Sequence, residues 1–218
     1  MVFSEILTPL QKRLLEIFTE YPIFKDFYFT GGTALSAIYL QHRFSEDLDF
    51  FTEVPQGVAR IIPIIEEIAK KVGLQIVMGR RFETLFECTL AKGSEEKVEF
   101  DFALDLPGRL QPVRLEPSLR LYVDNELDIA CNKLSALYDR AEPKDFVDLY
   151  FLVQEKMSFE TLLANARKKF PGIDDYGLSL TFFKVKGVEK LPRMIKPLKI
   201  QTLKEYFLDK AAQMSNQI

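Results

Sequence analysis

The sequence predicts an α+β protein, with a mixed β-sheet flanked by helices over residues 1–106 and a mainly helical domain over 107–218. Three observations predict it. Short aromatic and β-branched runs alternate with amphipathic stretches as far as Leu104, helical spacing alone follows Leu106-Pro107-Gly108, and the charge changes at the same place. Residues 1–105 carry 11 basic and 17 acidic side chains, whereas 106–218 carry 18 and 15.

Thr8-Pro9 reads as a cap followed by proline in the first turn, and Leu10, Leu14, Ile17 and Phe18 recur at helical spacing until Tyr21-Pro22. Phe27 to Thr30 is a short aromatic strand, Gly31-Gly32 a turn, and Thr33 to Leu40 a helix. Asp47 to Phe51 is the next strand. Val58 to Val72 is an isoleucine-rich helix containing Pro63 and closed by Gly73. Strands follow at Leu74 to Met78, Thr84 to Ala91 and Lys97 to Leu104, the last two joined through Lys92-Gly93-Ser94. After a connector with Pro112 and Pro117, helices are expected at Leu127 to Tyr138, Lys144 to Gln154, Phe159 to Lys169 and Gln201 to Gln213.

Composition excludes several chemistries. With 218 residues, 47% of them hydrophobic, the chain can bury a core, and its net charge of -3 gives no global attraction to nucleic acid or anionic lipid. One histidine (His42) and two distant cysteines (Cys88, Cys131) leave no zinc cluster, CxxC pair or disulfide scaffold. No apolar stretch reaches membrane-spanning length, and the residues around Glu5 and Pro9 do not form a signal peptide, so a cytoplasmic protein with free thiols is expected.

Asp47 and Asp49 flank Leu48 in a strand-like run, which directs both carboxylates to one face at a Cα separation of roughly 7 Å. Like charges held so close raise each other's pKa unless a cation compensates, and oxygen-only ligation favours Mg²⁺ or Mn²⁺ over zinc. A solvated edge strand carries the same DxD pattern. The neighbourhood adds to it: Gly31-Gly32 stands between a strand and a helix, where backbone N–H groups can hold a phosphate, and Thr33 adds a hydroxyl. This glycine pair matches neither the P-loop nor the Rossmann pattern and is otherwise an ordinary tight turn. In Val98 to Asp105, Glu99, Asp101, Ala103 and Asp105 share one face, and Asp101 is the best third carboxylate for a cage that clamps the oxygens of phosphoryl transfer. Solvent-facing acids would give the same alternation.

The runs Gly31-Gly32-Thr33-Ala34-Leu35 and His42 to Phe50 resemble the first motif of the polymerase-beta-like nucleotidyltransferases, and more narrowly the AbiEii/AbiGii toxin branch. Asn132 to Arg140 and Lys144 to Tyr150 resemble that branch's helical motif, in the same order along the chain. The resemblance implies a nucleotidyltransferase palm whose active site lies in a cleft completed by the helical domain. It implies that Gly31, Gly32 and Thr33 form the triphosphate loop, that Asp47, Asp49 and Asp101 hold the metal, and that Asp101 helps deprotonate the acceptor. Lys133 would contact nucleotide phosphates, Asp145 or Asp148 would be the late acid of the helical motif, and Arg43, Ser45 and Arg140 belong to the same nucleotide-binding set. The family commonly has Arg-Asp where this chain has Lys144-Asp145, which exchanges a guanidinium fork for a point charge.

The residues also admit plainer readings. Asp145 follows Pro143, where an acid favours a helix N-terminus through the dipole alone. Arg43 could reach a phosphate, and His42 reads equally well as a surface histidine. Between Lys184 and Lys199 lie Lys184, Lys186, Lys190, Arg193, Lys196 and Lys199 against Glu189, which is either a solvated face or a docking strip for a polyanion.

The expected activity is Mg²⁺-dependent transfer of a nucleotide from an NTP to an acceptor hydroxyl. The resemblance suggests an RNA acceptor such as the tRNA 3′ end, in a toxin with a cognate antitoxin. Transfer to a small molecule or a protein side chain, and a non-catalytic nucleotide-binding module, are the alternatives.

Overall fold

The computed structural model describes residues 6–93 and 96–215. Ser94 of the expected hairpin connection, like the first five residues, lies outside them. The chain divides into two compact units, residues 1–39 with 45–125 and residues 40–44 with 126–218. The division falls later than the expected 106/107 boundary, because 107–125 supplies two further strands to the sheet.

In unit 1, helix α1 (Pro9–Phe18) begins with a capping box: the Thr8 hydroxyl accepts from the Gln11 N–H and the Gln11 side chain accepts from the Thr8 N–H. Strand β1 (Tyr28–Thr30) leads directly into α2 (Gly31–Ala34), which continues without a break as a π-helical segment, Leu35–Leu40. The glycine pair is therefore the first turn of the helix rather than a separate turn before it. Strand β2 (Leu48–Thr52) and α3 (Gly57–Val72) follow, with Pro63 inside the helix and Gly73 closing it at φ 71°. Strands β3 (Gln75–Arg81), β4 (Leu85–Lys92) and β5 (Glu96–Leu104) match the expected runs to within a few residues.

The two strands not foreseen are β6 (Arg114–Glu116) and β7 (Leu121–Val123), each only three residues long. They complete a mixed seven-stranded sheet of order β3-β4-β5-β2-β1-β7-β6, in which β2–β5 and β1–β7 pair in parallel and the other neighbours are antiparallel.

Alternation divides the two faces of this sheet. Leu48, Phe50, Phe100 and Phe102 are buried on one of them, where Phe18 of α1 stacks on Phe24 at 4.1 Å and meets Phe50 and Phe100 at about 5.5 Å. Asp49 and Asp101 necessarily point to the other face.

Unit 2 is built from α4 (Glu126–Arg140), α5 (Pro143–Glu155), α6 (Phe159–Lys169), α7 (Asp175–Phe183) and α8 (Ile200–Ser215). Four of the five were legible; α7 was not, because its apolar residues are not confined to one side. Phe146, Phe182 and Phe207 form an aromatic centre with ring separations of 4.9 and 5.1 Å about Phe207. Cys88 and Cys131 are buried and unbridged, and among the described residues no helix is long and apolar enough to cross a membrane.

Candidate active site

One register line crosses the sheet of unit 1. Thr30 on β1 lies opposite Asp49 on β2, Asp49 opposite Asp101 on β5, and Asp101 opposite Glu87 on β4. Adjacent strands stand about 4.8 Å apart, so this row collects three carboxylates on one face. Burial holds the Asp101 carboxyl up at about 7, reinforced by the negative charge of Asp49, Glu87 and Asp47, with Arg80 opposing. Arg80 is paired with Glu87 through its guanidinium fork.

Glu87 was missed in the sequence. The hairpin between β4 and β5 pairs Lys92 with Glu96, and counting back along both strands from that pair brings Glu87 to Asp101.

Asp47 precedes β2, and its backbone carbonyl accepts the Thr33 hydroxyl. Thr33 is fully buried, so its hydroxyl fastens the approach to β2 instead of facing a phosphate as the sequence suggested. Ser45 and Glu46 are tied to α1 by the Gln11 side-chain amide, which donates to their carbonyls at 3.3 and 2.8 Å. Gly31 adopts φ 71°, and a Cβ built there would lie 1.8 Å from Asp49 Oδ2. No other residue type lets the start of α2 approach that carboxylate so closely.

These oxygen donors suit a hard divalent cation in type, and their shared negative charge is what such a cation would offset. Among the described residues the side chains as they stand form no group of three His, Cys, Asp or Glu that could hold a metal ion.

The remaining candidates form a separate ion network inside unit 2. Asp148 is fully buried and receives Arg43 Nε at 2.6 Å, Arg43 Nη2 at 2.8 Å and Lys133 Nζ at 2.7 Å, while His42 Nε2 lies 2.7 Å away. Burial works against its charge, yet Lys133, Arg43 and the His42 hydrogen bond hold it well below the usual carboxylate range. Arg140 forks onto buried Asp145 through Nε at 2.7 Å and Nη2 at 2.9 Å, and Lys133 Nζ is 3.9 Å from the same carboxylate.

Two expectations change here. His42 is fully buried rather than on the surface, and Arg43, 3% exposed, turns its fork to Asp148 rather than outward to a phosphate. Both shifts have one cause: the segment 40–44 belongs to the helical unit, where the His42 carbonyl accepts from Ile195 and Lys196 and the Phe44 N–H donates to the Arg193 carbonyl. Lys144 stays near the surface beside Glu142.

A family model described as nucleotidyl transferase AbiEii toxin, type IV TA system, matches residues 13–214. The chain belongs to the AbiEii nucleotidyltransferase toxin family. This AbiEii chain is 32% identical over 165 residues to an uncharacterized protein of Aquifex aeolicus, aq_aa25, covering 75% of this chain and 76% of that one. Its fold is similar to that of MenT4, a nucleotidyltransferase toxin from Mycobacterium tuberculosis H37Rv, with TM-score 0.62 and 17% identity over 95% of this chain and 82% of that one. It is also similar to JHP933 from Helicobacter pylori, with TM-score 0.54 and 19% identity over 97% and 94%. This AbiEii protein is thus a nucleotidyltransferase with an α+β fold built on a mixed sheet.

Proposed function

We propose that this AbiEii protein transfers a nucleotide from an NTP to an RNA hydroxyl, as the toxin of a toxin-antitoxin pair with a cognate antitoxin. The observation that carries the chemistry is the row Asp49, Asp101, Glu87 beside Gly31 at the start of α2. The Gly31 and Gly32 amides receive the triphosphate at the start of α2, where the helix dipole favours negative charge. The acceptor oxygen forms a bond to the α-phosphorus, the bridging bond to the β-phosphate breaks, and pyrophosphate leaves. Asp101, paired across the sheet with Asp49, helps to take the acceptor's proton.

Asp47, Asp49 and Asp101 are the residues that would hold Mg²⁺. When bound, the ion would supply charge neutralisation at the phosphates and stabilise the developing oxyanions. In unit 2, Lys133 is the residue proposed for the nucleotide's phosphates, its Nζ already oriented by Asp148. The test is incubation of the purified chain with each labelled NTP, Mg²⁺ and total bacterial RNA. Label in RNA is expected; label only in protein or a small molecule would replace the acceptor, and no label anywhere would sink the transfer reading.

An RNA acceptor is supported by an open groove of about 730 Å³ in unit 2, lined by Lys144, Lys190 and Arg193 together with Glu142 and prolines. Arg193 stacks on the Phe44 ring at 4.1 Å, which anchors the strip to the segment 40–44. Lys196 is committed to Glu155 at 2.7 Å. Replacing Lys144 and Lys190 with alanine should therefore weaken transfer to RNA and flatten its salt dependence, whereas Lys196→Ala should do so less.

A further inference from the structure

Thr30 occupies the position before the first residue of α2, where a threonine hydroxyl ordinarily accepts from the amides of the helix's own first turn. Here it makes no such bond. Its hydroxyl instead donates to Asp124 Oδ2 at 2.9 Å, and both side chains are buried, Thr30 at 1% exposure and Asp124 at 0%.

Asp124 is well placed to hold it. Its N–H donates to the Phe29 carbonyl at 2.9 Å and so extends the parallel pairing of β1 with β7 by one residue, to the level of Thr30. Its Oδ1 accepts the Asn125 N–H at 3.0 Å, and its carbonyl accepts the Tyr39 hydroxyl at 2.7 Å, from the far end of the helical run that begins at Gly31. The carboxylate is therefore fixed on the side of β1 opposite Asp49.

We propose that Asp124 is a positioning residue for nucleotidyl transfer. By drawing the Thr30 hydroxyl away from the first turn of α2, it keeps the Gly32 amide, which a threonine there would otherwise cap, available to the nucleotide's phosphates. This rests on the transfer reading above for its effect on turnover, but the capping competition itself does not depend on it.

The decisive comparison is among wild type, Asp124→Ala, Thr30→Val and the double variant, with Asp124→Asn as a shape-conserving second choice should the alanine variant not fold. Freed from Asp124, the Thr30 hydroxyl turns onto the helix amides, so Asp124→Ala should raise the KM for the transferred NTP about tenfold, the weight of one hydrogen bond, with a smaller change in kcat. Asp124→Asn should raise it about threefold, since one acceptor oxygen is retained. Thr30→Val alone should leave KM close to wild type, and adding it to either Asp124 variant should bring KM back down. If the double variant is as impaired as the Asp124 single or worse, the proposal is wrong.

Amide hydrogen exchange gives a reading independent of turnover. The Gly32 and Thr33 amides should exchange more slowly in the Asp124 variants and recover in the double variant. Unchanged or faster exchange in the Asp124 variants overturns the positioning role even in a chain that transfers nothing, whereas absent transfer by wild type with the expected exchange pattern overturns only the transfer reading.

Discussion

Arg43 grips Asp148 through two parallel hydrogen bonds, Nε to Oδ1 at 2.6 Å and Nη2 to Oδ2 at 2.8 Å, with the guanidinium 4% and the carboxylate 0% exposed. Lys133 Nζ completes the arrangement at 2.7 Å from Oδ2. Two buried cations share one buried anion, and Lys133 has a second carboxylate in reach, Asp145 at 3.9 Å. Asp148→Asn keeps the shape and removes the charge, so it should destabilise unit 2 by about 3–5 kcal/mol, the cost of leaving buried charge uncompensated. Denaturant unfolding followed by probes in each unit would check this; a loss below about 1 kcal/mol would show that solvent reaches the network.

His42 gives that network a pH dependence. Burial lowers its pKa below the ordinary 6.5, Asp148 opposes the shift, and the neighbouring charges of Arg43 and Lys133 add to it. Among the described residues its Nδ1, which is buried, has no hydrogen-bond partner, and its ring lies 5.2 Å from that of Phe151, so a second ring proton finds no acceptor there. The unfolded chain therefore binds the proton first as pH falls. Stability is complete above about 6.5 and declines as pH drops from there toward the lowered folded value. His42→Gln should flatten the decline that sets in below about pH 6.5, measured as the denaturation midpoint against pH. Parallel curves for the two proteins would refute it.

Some of this was legible in the residues and some was not, for physical reasons. The acids and the glycine pair announce themselves because strand alternation and turn chemistry are local, and Asp49 and Asp101 do share a register pair. Glu87 needed the hairpin register, a non-local quantity, and Asp124 needed β7, whose three residues carry no periodicity. Arg43 and His42 were misjudged because five residues, 40–44, leave the unit on either side of them and pack with helices beyond residue 126. Charge type was readable there, but the direction in which the charge points was not.

Asp101 should show function opposing stability. Its folded pKa stands at about 7 against an ordinary 3.8, so in metal-free buffer its contribution to stability is full below about 3.8 and is lost as pH rises through 7. Asp101→Asn removes this ionisation. At pH 8 with chelator it should be more stable than wild type by about 1–2 kcal/mol, a figure reduced for solvent screening of a partly exposed group, while nucleotide transfer falls by at least about a hundredfold. Equal or lower stability at pH 8 would mean that burial, together with the neighbouring Asp49 and Glu87, does not disfavour a charge at this position.

Gly31 and Gly73 share a backbone angle and differ in surroundings, which separates strain from contact. Both have φ 71°, but a Cβ at Gly73 meets nothing within 4 Å, whereas one at Gly31 would lie 1.8 Å from Asp49 Oδ2 and 2.7 Å from Asp49 Cβ. Gly73→Ala should cost only the left-handed backbone, about 1 kcal/mol, and leave transfer intact. Gly31→Ala carries the same backbone cost and must also push the Asp49 carboxylate away from the start of α2. Because Asp49 links Thr30 to Asp101 in the row that ends at Glu87, its displacement should abolish transfer even where the variant stays folded. Thermal unfolding and label transfer measured on both variants decide the matter, and an active Gly31→Ala protein would remove Asp49 from the chemistry.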